Sequence, residues 1–104
     1  MQRFISYAEL KPDKVEDYIR LHADPWPELM ALIDACHIHH YSISLRRTAV
    51  FTYYEYTGTD YAADMQRMEN SSVMQRWWKY SKPCFLHHAE GWYYEDLDEV
   101  FYAP

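Results

Sequence analysis

Along Arg3 to Leu10, Phe4, Ala8 and Leu10 fall on one side and Ile5 and Tyr7 on the other. That pattern predicts a β-strand with both faces at least partly covered. Lys11-Pro12-Asp13 stops it, and Pro12 with the acidic Asp13 and Glu16 suits a helix start, since proline costs nothing in the first turn and carboxylates favour the positive end of the helix dipole. Val15, Tyr18, Ile19 and His22 then recur at the three-and-four spacing of one helical face. Asp24-Pro25-Trp26-Pro27 interrupts the helix, and the stripe resumes with Leu29, Met30 and Ile33, which predicts a kink or a restart capped by Asp24.

Ile38 to Leu45 and Ala49 to Thr57 are rich in β-branched and aromatic residues, and Arg46-Arg47-Thr48 is short enough to join them as an antiparallel hairpin. Thr59 or Asp60 can cap a helix carrying Tyr61, Ala62, Met65 and Met68, and Asn70-Ser71-Ser72 offers a second cap for Val73 to Tyr80. Pro83 ends that helix, Phe85 to Tyr94 reads as an irregular aromatic loop, and Glu99 to Tyr102 as a last strand. The order is βαββαβ, the α+β ferredoxin-like arrangement with an antiparallel sheet. Residues 1–104 are the size of one domain.

Helices on one side of such a sheet leave its other side bare, yet both central strands carry apolar or aromatic residues on both sides. A second copy of the chain is the economical cover, so a homodimer is expected.

Composition narrows the chemistry. The chain is 18% aromatic, with eleven Tyr and only two Gly, which points to rings lining a pocket or an interface and argues against Gly-rich phosphate loops. A net charge of −6 argues against nucleic acid, whose binding needs clustered Lys and Arg. Cys36 and Cys84 are too few for a disulfide scaffold or a thiolate metal site. With no signal-like start and no apolar run of about 18 residues, a soluble, cytoplasmic chain is expected, with no membrane partner.

Trp77 and Trp78, inside Gln75-Arg76-Trp77-Trp78-Lys79-Tyr80, would suit the C–H face of a sugar. Neighbours on a helix point about a hundred degrees apart, however, so the pair alone is more simply read as one core indole and one partly covered one. Of six histidines, His37, His39 and His40 lack a carboxylate or Cys at ligand spacing, and no metal is expected. His22 stands apart. It shares a stripe with Tyr18 beside the proline break, and an imidazole with an ordinary pKa of about 6.5 is a general acid or base at neutral pH. A core-edge histidine bonded to a backbone carbonyl would have the same spacing.

Tyr18-Ile19-Arg20-Leu21-His22, Trp26-Pro27-Glu28-Leu29, His40-Tyr41-Ser42-Ile43, the Trp77-Trp78 block and Glu99-Val100-Phe101-Tyr102 together resemble the L-rhamnose mutarotase family, in order and spacing, over nearly the whole chain. The resemblance implies a dimeric α/β barrel that interconverts the α and β anomers of L-rhamnose without a cofactor. It also implies His22 as proton donor and Tyr18, Tyr41, Trp77 and Trp78 as sugar-binding residues. Ser44, where an aromatic residue is common, and the loop His87 to Trp92 depart from the pattern, so L-fucose or another 6-deoxy or pentose sugar stays open. Two rivals share the architecture: a non-catalytic small-ligand binder and a monooxygenase.

Overall fold

The structure, a computed structural model, describes residues 1–87 and 93–104, so most of the departing loop, residues 88–92, lies outside the described residues. Four strands, β1 (Gln2–Glu9), β2 (Ile38–Arg46), β3 (Ala49–Tyr56) and β4 (Glu95–Leu97), form one antiparallel sheet in the order β2-β3-β1-β4. Helices α1 (Val15–Ala23), α2 (Pro27–Ala35), α3 (Tyr61–Asn70) and α4 (Ser72–Ser81) complete the βαββαβ order, each α unit being a pair of consecutive helices.

The predicted punctuation holds at most joints. A short 3-10 turn at Pro12–Lys14 leads into α1. Asp60 accepts the Ala63 N–H and Ser71 the Val73 N–H, satisfying first-turn donors of α3 and α4 that would otherwise lack partners. Arg47 takes a positive φ of 55° in the hairpin loop, which lets β2 and β3 join through two residues without glycine.

Three expectations change. Trp26, not Asp24, occupies the cap position of α2, with no side-chain cap bond, because the helix starts at Pro27, whose missing N–H needs no acceptor. Ile19, placed on the inner stripe with Tyr18, is half exposed. The final strand is Glu95–Leu97 rather than Glu99 to Tyr102. The apolar run Val100-Phe101-Tyr102 has strand composition, but Ile5, Ser6 and Tyr7 are already paired with Leu97, Asp96 and Glu95. The tail is held by side chains instead: Arg3 donates from Nε and Nη2 to both oxygens of Glu99 and stacks 3.5 Å from the Tyr102 ring centroid.

β2 contains a bulge that sets the floor of the site. His39 pairs with Glu55 and Ser42 with Tyr53, so His40 and Tyr41 together oppose Tyr54, and His40 takes a positive φ of 49°. One extra residue reverses the side-chain parity of the strand. Ile38 before the bulge and Tyr41, Ile43 and Leu45 after it all face the helices, leaving Ser42 and Ser44 outside. β2 is therefore apolar on one side only, unlike its expected two-sided pattern.

Two clusters form the core. Ala8, Leu10, Tyr18, Val50, Cys84 and Phe85 pack where β1 and β3 meet α1, while Leu29, Met74 and Trp77 join α2 to α4. The outer sheet face carries Ile5, Phe51 and Leu97 at 36–43% exposure, with Tyr7 and Tyr53 beside them.

Candidate active site

A cavity of about 350 Å³ opens between the two core clusters, walled by α1, α3, α4 and β2. Tyr18 and His22 line it from α1, Tyr41 and Ile43 from β2, and Trp78 and Ser81 from α4. Glu69, Lys82, Phe85, Tyr93 and Tyr94 complete the wall. The volume suits a small ligand.

His22 lies one helical turn beyond Tyr18, as the stripe required. Nδ1 of His22 is 2.8 Å from the Tyr18 carbonyl oxygen, to which its N–H donates. The backbone bond of a core-edge histidine is thus present, and the ring lines the cavity as well. With Nδ1 engaged, Nε2 is the nitrogen left to exchange a proton. Burial lowers the His22 pKa, and the Tyr18 carbonyl, which favours the charged ring, opposes that only in part.

Tyr18 packs on the same imidazole, ring centroids 4.2 Å apart, and is 2% exposed. Its hydroxyl is buried without a hydrogen-bond partner of normal geometry. The Tyr94 hydroxyl interacts with it more loosely, and a buried phenol so placed gains from a further donor or acceptor brought by a ligand. Burial raises the Tyr18 pKa far above that of a free phenol, with the neighbouring Tyr94 hydroxyl pulling the other way. Tyr41 and Tyr94 keep 44% and 39% of their surface exposed, but desolvation where they line the cavity raises both, so all three phenols are neutral hydrogen-bonding groups at physiological pH. The Tyr41 ring leans on Tyr54 at 5.4 Å, which in turn stacks on Phe4.

The tryptophans divide. Trp78 is on the cavity wall, whereas Trp77 is 7% exposed in the α2–α4 core and does not reach the cavity. Trp77 meets the imidazole of His22 edge-on, centroids 5.3 Å apart, and Trp26 in the same manner at 5.3 Å. It buttresses the back of the histidine. This is the division that helical geometry alone suggested for adjacent indoles.

Of the five expected site residues, the cavity brings together Tyr18, His22, Tyr41 and Trp78, with Trp77 behind. Sequence reasoning missed Ile43, Glu69, Ser81 and Lys82 and did not single out Phe85, Tyr93 or Tyr94. Ring-rich composition of the Phe85 to Tyr94 stretch was the available signal for the last three. Among the described residues, no group of three or more His, Cys, Asp or Glu could hold a metal ion, and no helix is long and apolar enough to cross a membrane.

Comparison with known proteins agrees across sequence and fold. The family model for L-rhamnose mutarotase matches residues 3–103. The chain is 34% identical over 105 residues to an L-rhamnose mutarotase of Bacillus subtilis, covering 98% of each chain. It is 34% identical over 97 residues to one of Klebsiella pneumoniae, covering 90% of each. Among solved structures, an L-rhamnose mutarotase from Formosa agariphila superposes with a TM-score of 0.80 at 20% identity over 100% of both chains. Tetracenomycin F2 cyclase of Streptomyces glaucescens does so at 0.71 and 11%, a likeness of fold alone. With the family model spanning nearly its whole length and relatives above 30% identity from end to end, this chain belongs to the L-rhamnose mutarotase family.

Proposed function

We propose that the chain is an isomerase that interconverts the α and β anomers of L-rhamnose, with His22 as the proton donor. Mutarotation breaks the bond between the anomeric carbon and the ring oxygen. The ring oxygen gains a proton, the anomeric hydroxyl loses one to a water or a second polar group of the cavity, and the open aldehyde rotates and recloses on its other face. Protonated His22 has Nδ1–H on the Tyr18 carbonyl and Nε2–H left for the ring oxygen. The lowered pKa makes that imidazolium the stronger acid. When the ring recloses, the same nitrogen takes its proton back and the acceptor returns the other to the new anomeric hydroxyl. Positioned acid-base help of this kind is worth about a hundred- to ten-thousand-fold in rate.

Tyr18 and Tyr41 serve the sugar hydroxyls as neutral phenols, and Trp78 covers a C–H face and the exocyclic methyl. Trp77 acts through His22, fixing the ring from behind. The single observation that carries this reading is His22, tied through Nδ1 to the Tyr18 carbonyl and lining one cavity with Tyr18, Tyr41 and Trp78. Its test is saturation-transfer NMR on equilibrated L-rhamnose, which reads anomer exchange directly. Exchange no faster than in buffer overturns the reading.

The same reading includes a homodimer, supported by the apolar outer face of the sheet, where Ile5, Phe51 and Leu97 stand exposed. Sedimentation of a monomer at micromolar protein would remove it. Two buried free thiols, Cys36 and Cys84, suit the reducing cytoplasm in which free intracellular sugars are processed.

A further inference from the structure

Lys82 is the first residue after α4, and it opens the short 3-10 turn Lys82–Cys84. It lines the same cavity as His22 and, among the described residues, is the only lysine or arginine to do so. Its Nζ lies 4.1 Å from the Trp78 ring centroid and 5.9 Å from that of Tyr93. The charge is thus held by π faces, and the Lys82 ammonium has no ion pair or hydrogen bond among the described residues. An aromatic cradle attracts the charge of an ammonium but leaves its N–H donors in want of oxygen acceptors. The ammonium lies over the face of that indole on the cavity wall, so a sugar held in the cavity meets its donors there.

We infer that Lys82 is a specificity-determining residue, donating hydrogen bonds to neighbouring ring hydroxyls of the monosaccharide bound in this cavity. This deepens the mutarotase reading and rests on it. The cradle matters for discrimination. A lysine in bulk solvent follows whatever oxygen is offered, whereas one held at 4.1 Å from a ring has a fixed origin for its donors. Sugars that lack a hydroxyl there, or carry it in the opposite configuration, leave a charged donor unmet. Sugars that differ only elsewhere do not.

Ligand-observed NMR titration tests this on the full chain, with L-rhamnose and its 2-, 3- and 4-deoxy analogues, and anomer exchange is read from the same samples. Lys82→Met keeps the side-chain length and drops the donors. It should weaken L-rhamnose binding by about 10- to 150-fold, the range for a hydrogen bond to a charged group, with kcat changed far less than KM. Lys82→Arg should recover most of the affinity. Wild type should lose a similar factor on at least one deoxy analogue, and on that analogue Lys82→Met should lose little more. Such non-additivity would not arise from a general disturbance of α4.

Unchanged affinity in Lys82→Met overturns the proposal, as does an equal loss on all three analogues. Should that variant fold poorly, Lys82→Gln is judged by the same two criteria. Wild type that binds L-rhamnose without accelerating exchange would sink the mutarotase reading while leaving Lys82 to be judged by affinity alone. Wild type that binds none of these sugars sinks both.

Discussion

Nδ1 of His22 sits 2.8 Å from the carbonyl oxygen of Tyr18, so the backbone of the preceding turn fixes which imidazole nitrogen faces the cavity. His22→Gln can keep a donor on that carbonyl but has no group that titrates near neutrality. The enzyme-dependent exchange rate should fall by about a hundred- to ten-thousand-fold, with sugar affinity largely retained. Saturation-transfer NMR at matched protein concentration measures it, and full activity in the variant would remove His22 from the role.

Tyr18→Phe should separate stability from function. Removing a buried hydroxyl that makes no hydrogen bond of normal geometry, while keeping the ring on His22 and Phe85, should leave the free protein about as stable as wild type. Sugar binding should weaken, because the hydroxyl is better paired by the sugar than by its neighbours. Urea midpoints read the first effect and ligand titration the second. A loss of stability would mean that the hydroxyl is paired in the free protein.

The two tryptophans should answer differently to truncation. Trp77→Ala opens a void among Leu29, Met74 and Trp26 and should cost about 3–5 kcal/mol of stability. Trp78→Ala, at the cavity wall, should cost less stability and weaken sugar binding more. Thermal unfolding beside a binding titration distinguishes them. Equal stability losses would contradict the division of the pair between core and cavity.

Acid should move stability and rate in opposite directions. Unfolded, His22 titrates near 6.5, whereas in the fold burial lowers its pKa. As pH falls through 6.5 the unfolded chain takes up a proton that the folded chain still refuses. His22's contribution to stability is therefore intact above that value and is lost progressively until pH passes below the folded pKa. Over the same window the protonated donor becomes more populated, so exchange per folded molecule should climb. Urea midpoints and exchange rates for wild type and His22→Gln, taken between about pH 5 and 8, isolate the histidine in each difference. A rate that falls in acid would make His22 a base in its resting form rather than a donor.

Much of this architecture was legible because strand and helix periods are simple and the caps are local. The hairpin, both polar caps and the Tyr18–His22 stripe each depend on residues within a few positions of one another. The tail was misread because composition says that Val100 and Phe101 suit a strand but not that Leu97 already has the edge of β1. Tyr41 could be named from resemblance, yet its direction depends on the bulge at His40, which no alternation pattern announces. Lys82 and Tyr94 come to the cavity only through the turn after α4 and the return of the chain towards β4. Such long-range placement leaves little trace in local sequence.

The supernumerary residue in β2 is what lets two inward-facing sets of opposite parity share one strand. Drawing the strand into plain alternation at its present length would turn Ile38 outward while Tyr41, Ile43 and Leu45 stayed in place, or the reverse, whereas deleting His40 would leave all four facing the helices. Either reversal trades a buried aliphatic or the phenol floor of the pocket for a solvent-facing one. Relatives one residue shorter at this point should therefore keep the same floor, while those of equal length depend on the kink to build it.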